Sequence, residues 1–335
     1  MKMKKILLMV FGIWCAMQLT ACDAFQKLLT TDTNTAQGAP YELILAVDQP
    51  QWQGALGDTL RSVLCAPVEY LPQQEPVFDV MRVTPDGFKD MITRHRNIMK
   101  VIVNPSLGET SAFVQHDVTA QPQLVVTLQG PSDQSLTDYV SENRHELVLA
   151  FEQAERDRAL AVNSRFDAPN VEQDIRAIFD FEMNVPTGYF TANKTEDFLW
   201  ARKEYPKASQ GFMIYSYPYE GKQSLSAEAL TEARNRFAKL IPGPRAGSYM
   251  TTAPLFTPTH RMFRMEGRLW CELRGFWDVE GDYMGGPFVS YSTIDTRNNR
   301  VVTLDCYIYS PDLHKRNFMR GVEHLIHGVH IPTER

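Results

Sequence analysis

The chain has 335 residues, 44% of them hydrophobic and 22% charged, and a formal charge of -6. This composition fits an ordinary globular protein of one large or two medium domains, and the acidic balance argues against a nucleic-acid partner. Of five cysteines only Cys65, Cys271 and Cys306 fall in the folded part, which excludes a small scaffold stapled by disulfides.

At the start, Met1-Lys2-Met3-Lys4-Lys5 precedes an apolar run at 6–17. The run is shorter than the roughly 20 residues a helix needs to cross a bilayer, so it reads as the apolar part of an export signal. Leu19-Thr20-Ala21-Cys22 resembles the bacterial lipobox at all four positions: an apolar residue, two small ones, then the cysteine that is acylated. The resemblance implies a lipoprotein signal peptide at 1–21 and lipidation of Cys22. An ordinary signal, or a retained anchor with Cys22 incidental, is the alternative. Loss of 1–21 removes three lysines and no acid and takes the charge from -6 to -9. One acyl chain anchors only marginally, at roughly 0.8 kcal/mol per buried methylene, whereas the two or three chains implied here attach the protein permanently. The expected address is the bacterial cell envelope, with the membrane held through Cys22 and the body facing the periplasm or the cell surface. Residues 22–40, rich in Thr, Asn, Gln and Gly, show no apolar period and read as a flexible tether, with folding from Tyr41 onward.

Residues 41–168 read as an N-terminal α+β domain. A strand at 42–47 leads to an amphipathic helix at 52–64, then to strands at 77–83, 99–103 and 123–128 around a short helix at 86–94. A long helix at 135–163 puts Leu136, Tyr139, Val140, Leu147, Ala150, Phe151 and Ala154 on one stripe. Glu142, Arg144, Glu152 and Arg156 lie elsewhere, so it should pack by one face only. The break at Asp167-Ala168-Pro169-Asn170 marks the domain connection.

Residues 169–335 read as a C-terminal α+β domain. A helix at 171–178 precedes strands at 180–185, 198–203 and 211–219. Ser226 then caps a helix carrying Leu230, Ala233, Phe237 and Leu240, which Pro242-Gly243-Pro244 stops. Strands at 268–279, 287–295 and 300–310 should form an antiparallel meander. In the last, Val302, Leu304, Cys306 and Ile308 alternate with Thr303, Asp305, Tyr307 and Tyr309, as in a half-covered sheet. Cys271 and Cys306 would then sit on its outer strands, roughly 9 to 10 Å apart and out of disulfide reach. A terminal helix capped by Asp312 aligns Phe318, Val322, Leu325, Ile326 and Val329 and ends at Gly328. The fold class expected is two mixed domains with antiparallel sheets covered by helices.

Three strings, Arg94-His95-Arg96-Asn97-Ile98, residues 209–219 (SQGFMIYSYPY) and residues 281–291 (GDYMGGPFVSY), resemble an uncharacterised lipoprotein family of Bacteroidetes-type bacteria. That family is known only as a domain of unknown function, and it implies no activity, ligand or catalytic residue. By element order the second half also looks like the Mog1/PsbP-like fold, an antiparallel sheet with helices on both faces in non-catalytic binding and assembly factors. This analogy of fold favours binding over catalysis.

Chemistry-bearing motifs are sparse. There is no phosphate loop, no dinucleotide fingerprint and no Gly-x-Ser-x-Gly elbow. His145-Glu146 fails as a zinc-protease string because Leu149 stands where the second histidine would be. His324 and His327 share a face near the chain end. They would either ligate zinc, copper or nickel or sit against helix carbonyls, and the second is the commoner use. Arg94, His95 and Arg96 form either an anion site for phosphate, headgroup or cell-wall carboxylate, or a solvated helix end. Tyr215, Tyr217 and Tyr219 make either an aromatic platform for glycan or peptide, or a stripe under a helix. Glu272 and Arg274, with Asp305 in the same sheet, give either acid and base groups in a cleft or cross-strand ion pairs. No catalytic residue, metal or cofactor is assigned.

The sequence therefore points to a lipid-anchored envelope protein that binds an envelope protein or cell-wall component without catalysis. The alternative is an envelope enzyme, hydrolytic or metal-assisted, with a dispersed site. A deep polar cleft with a shifted carboxylate or histidine beside Tyr217 or Arg274 would favour the enzyme. A flat apolar patch would favour association.

Overall fold

The computed structural model describes residues 34–332, so the signal at 1–21 and Cys22 lie outside the described residues. Chain order starts ahead of Tyr41: Thr35 and Gln37 already bridge to Gln121 and His95.

The first half runs β1 (Glu42–Ala46), α1 (Gln49–Gln53), α2 (Ala55–Leu64), β2 (Asp79–Val83), β3 (Asn97–Val103), β4 (Ser111–His116), β5 (Leu124–Gly130), α3 (Asp133–Glu142) and α4 (Arg144–Asn163). Its sheet has the order β2-β1-β3-β5-β4. The first four strands are mutually parallel and only β4 is antiparallel. The expected antiparallel sheet is therefore corrected to a mixed one. The cause is the connection: α1 and α2 carry the chain back along the sheet after β1, and such a crossover returns the next strand in the same direction.

Leu56, Leu60 and Leu64 of α2, Leu136 and Val140 of α3, and Leu147 and Phe151 of α4 bury against Leu43, Leu45, Met99, Val126 and Leu128. On the other face Ile44, Ile98 and Val125 meet Phe88 and Ile92. Cover on both faces explains why β1 and β5 are almost continuously apolar. The segment expected as a helix at 86–94 is two 3-10 turns, Pro85–Gly87 and Asp90–Arg94, interrupted where Asp90 takes a φ of 54°. The expected long helix is likewise two, because the Asn143 side-chain amide donates back to the Tyr139 carbonyl at 2.9 Å and ends α3 there.

The second half runs α5 (Pro169–Phe179), β6 (Glu182–Met183), β7 (Phe190–Lys194), β8 (Phe198–Tyr205), β9 (Ala208–Pro218), α6 (Ala227–Ala238), β10 (Tyr249–Thr252), β11 (Thr259–Met265), β12 (Arg268–Glu280), β13 (Gly285–Asp295), β14 (Arg300–Tyr309), α7 (Arg316–Glu323) and β15 (Val329–His330). Seven strands form the antiparallel order β10-β12-β13-β14-β9-β8-β7. β11 pairs with β12 beside β10, and the eight strands curl into a half-barrel. The meander β12-β13-β14 is as expected. Cys271 and Cys306 are free and flank β13, and they belong to the cores on opposite faces of the sheet.

This sheet is enclosed on both faces. Val302, Leu304, Cys306 and Ile308 face α5 and α7. Thr303, Asp305 and Tyr307 are also buried, on the side where α6 lays Leu230, Ala233 and Phe237 against Met213, Tyr215 and Leu273. The half-covered reading is corrected accordingly. It took hydroxyl and carboxylate side chains as signs of solvent, whereas here they are bonded inside the protein. Ser226 caps α6 as expected, accepting from the Ala229 amide at 3.2 Å.

The Asp312 cap is corrected too. α7 begins at Arg316, and the amides of Lys315 and Arg316 donate to the Glu75 carboxylate at 2.6 and 3.0 Å. A carboxylate from the first half thus satisfies the positive end of a helix in the second.

Candidate functional site

A cavity of about 470 Å³ opens where α4 meets β11, β12 and the terminal helix. Strand alternation turns Glu272 and Arg274 toward α7, and helical spacing puts Arg320 and Glu323 on one face of α7 and Glu152 and Arg156 on one face of α4. The result is a ladder of alternating charge. Arg261 pairs with Glu272 at 2.8 Å, Glu272 with Arg274 at 3.4 Å, and Arg274 with Glu323 at 2.5 Å. Glu323 then pairs with Arg320 at 3.0 Å and Arg320 with Glu152 at 2.5 Å. Beyond the ladder, Arg156 donates to His327 Nε2 at 2.9 Å, and the Tyr41 hydroxyl meets His324 Nε2 at 3.2 Å.

The electrostatics set what these groups can do. Burial opposes the Glu323 charge, but Arg274 and Arg320 outweigh it and hold the carboxyl at about 2. Burial, reinforced by Arg156 and for His324 also by Arg320, lowers both His324 and His327 to about 4. Burial also raises the Tyr41 phenol well above its usual value. The cleft beside Arg274 therefore does hold a shifted carboxylate and shifted histidines, the feature that would favour an enzyme. The shifts run away from neutrality, however, whereas general acid–base groups work with values near the operating pH.

A pH dependence follows from His324, which is 8% exposed. Its folded value near 4 lies below the ordinary 6.5 of an unfolded chain, so the unfolded state binds more protons between the two. Stability is complete above pH 6.5 and falls as pH drops toward 4, by about 2–3 kcal/mol. Urea midpoints measured from pH 7.5 to 4.5 should show this slope together with that of His327, and His324→Phe should reduce it to the His327 part.

The other sequence candidates are dispersed. Arg96 pairs with Glu155 at 2.9 Å, inside a network in which Arg158 and Asn97 also bond Glu155. The His95 ring is buried just ahead of β3, its Nδ1 3.1 Å from the Asn97 carbonyl and its Nε2 3.5 Å from the Glu42 carboxylate. Arg94 reaches the Thr35 carbonyl at 3.4 Å. This basic string thus fastens α4 and residues 35–37 to the first sheet. Tyr215 is buried under α6, stacked on Phe237 at 4.6 Å, and Tyr217 and Tyr219 pack on the same core, so the stripe serves as packing. Asp305 is buried against Arg234 on the α6 face and does not join Glu272 and Arg274. His324 and His327 are brought to the seam cleft, where the Arg156 guanidinium takes up Nε2 of His327. Among the described residues no group of three or more His, Cys, Asp or Glu side chains is placed to hold a metal ion.

A second cleft, of about 650 Å³, was not read from the sequence. It lies on the opposite face of the sheet, between Phe190 of β7 and the Pro242-Gly243-Pro244 turn, and is lined by Trp200, Trp277, Tyr307, Tyr309, Met250 and Met284. The polar atoms of its floor point inward: Trp200 donates to the Tyr307 hydroxyl at 2.7 Å and Trp277 to the Ile308 carbonyl at 3.1 Å. Toward the opening the apolar surface is bordered by Thr191, Ser209 and the Arg202–Glu204 ion pair at 3.2 Å. The only local signal was the Pro-Gly-Pro turn, which reads equally as a helix stop.

Residues 36–164 match the family model of a domain of unknown function, DUF8532, and residues 168–328 match that of a second, DUF4837. No curated protein matches. Among solved structures the chain is similar to a protein from Bacteroides thetaiotaomicron VPI-5482, at 13% identity and a TM-score of 0.20, over 46% of each chain. It is similar to the human StarD13 lipid transfer and protein localization domain at 9% identity and a TM-score of 0.23, over 48% of this chain and 94% of that one. For human StAR-related lipid transfer protein 5 the values are 9% and 0.21, over 52% and 95%. This chain spans about half the length of the Bacteroides protein, and likenesses of this strength carry no argument about ligand or activity. Two models of domains of unknown function, DUF8532 and then DUF4837, thus match successive stretches of the chain.

Proposed function

We propose that this protein is lipid-anchored in the bacterial cell envelope through Cys22, faces the periplasm or the cell surface, and binds an envelope partner without catalysis. The observation that carries the binding reading is the aromatic cleft. It is a concave site of the size that receives a bulky side chain, walled by aromatic and methionine side chains, with the indole N–H groups of its floor satisfied internally. We take the partner to be a protein that inserts an apolar anchor there. An antiparallel sheet with helices on both faces, which the Mog1/PsbP-like resemblance implies, supports the same reading.

A photo-crosslinking residue placed at Phe190 or Met284 of the anchored protein tests this in cells. Both positions should yield one protein adduct, absent from Leu255, which is 88% exposed and outside the cleft. Met284→Arg should abolish the adduct formed from position 190. Equal labelling at position 255, or adducts to cell-wall glycan in place of protein, would reject a protein partner for this cleft. Mass spectrometry of the mature amino terminus should find Cys22 acylated, and a bare or internal Cys22 would remove the anchor.

The alternative, an envelope enzyme, draws on one observation, the Tyr41–His324 contact at the polar seam. That pair offers a raised phenol and a lowered imidazole, a poor nucleophile with a poor base near neutrality.

A further inference from the structure

The seam cleft holds more donors than acceptors. Its three glutamates are each bonded to arginines of the ladder, leaving four guanidinium groups against three carboxylates. Arg156 forms no ion pair among the described residues, and its one hydrogen bond goes to His327 Nε2. Because a guanidinium only donates, that contact fixes His327 as the neutral tautomer protonated at Nδ1. The Arg320 Nε is buried without an acceptor. So is Nδ1 of His324, a side chain more than nine-tenths buried whose other nitrogen is taken by Tyr41. A buried polar atom without a partner costs about 1–3 kcal/mol; where the Tyr41 hydroxyl donates to Nε2, His324 Nδ1 is a donor like Arg320 Nε, and these two beside the unpaired Arg156 mark a place an oxygen-rich group would fill.

We propose that this cleft binds a single carboxylate, carried by the end of a peptide or by a sugar acid. The charge balance selects the class. One excess positive charge matches a monoanion, and the planar fork of Arg156 matches the two oxygens of a carboxylate. The site lies on the opposite face of the sheet from the aromatic cleft and shares no lining residue with it, so it stands or falls separately from the partner-binding reading.

Isothermal titration of the detergent-solubilised mature protein at low ionic strength tests the assignment, with N-acetyl-alanyl-alanine, its carboxy-terminal amide, glucuronate and inorganic phosphate as probes. One of the two acids should bind with one-to-one stoichiometry, and which one does so identifies the source. The amide should bind on the order of tenfold more weakly than the peptide acid if the peptide is the ligand. Arg156→Gln should weaken the bound acid on the order of tenfold or more. Its melting temperature should stay near that of the parent, because Arg156 holds no ion pair within the fold. Arg156→Lys, which keeps the charge and loses the fork, should fall between, and Arg61→Gln outside the cleft should change nothing. An amide as tight as the acid, undiminished binding in Arg156→Gln, tighter binding of phosphate than of either acid, or no binding by either acid would overturn the proposal.

Discussion

Asp305→Ala is expected to lower folding stability by about 3–5 kcal/mol, because it strands a buried guanidinium. Arg234 of α6 and Asp305 of β14 are both fully buried, with Arg234 Nε 2.8 Å from the carboxylate. Arg234 also donates to the Thr252 hydroxyl at 3.1 Å and lies 3.6 Å over the Phe288 ring, while Ser290 donates to Asp305. Burial pushes the Asp305 carboxyl up even as Arg234 pulls it down. Burial outweighs the attraction and leaves the carboxyl raised, so replacing the whole pair should cost far less than breaking it. Arg234→Met with Asp305→Leu should regain most of the loss. Urea unfolding of the single and double variants checks this, and a single variant within about 1 kcal/mol of the parent would show that Arg234 finds other compensation.

Glu323→Gln is expected to cost about 3 kcal/mol, since Glu323 joins Arg274 of β12 to Arg320 of α7, and Arg320 joins Glu152 of the first half. The same interaction predicts an acid limb. The folded value of about 2 lies below the ordinary 4.5, so the contribution is present above pH 4.5 and is lost as pH falls toward 2, by about 3 kcal/mol. This window lies below that of His324. The parent should therefore lose stability in two stages on acidification, with only the lower stage missing from Glu323→Gln. A double-mutant cycle of Glu152→Gln with Arg320→Gln measures how much of the coupling crosses the seam. A coupling near zero would mean that the halves dock by apolar contact alone.

The ladder shows where reading in one dimension stops. Glu272 and Arg274 were visible as alternating residues of one strand and His324 and His327 as a spaced pair, but nothing local says that β12 and the chain end share a cleft with α4. In the sequence Glu152 and Arg156 are charges away from the apolar stripe of a helix, as expected of a helix that packs by one face only. In the structure α4 packs on both sides. Glu155 and Arg158 turn to the first sheet, and Glu152 and Arg156 to the second half. The same applies to Asp305, whose alternation with apolar neighbours suited a solvent-facing edge until Arg234 arrived from a helix 71 residues away.

The residues alone determined the α+β class, the meander of β12 to β14 and the Ser226-capped helix, because apolar period, turn chemistry and capping act within a few positions of the chain. Only the tertiary structure decided that the first sheet is largely parallel, that both faces of the second are covered, and that four arginines meet three glutamates at the seam. Those outcomes depend on which distant element satisfies each buried charge or apolar face, and that pairing is set by the packing of the whole molecule.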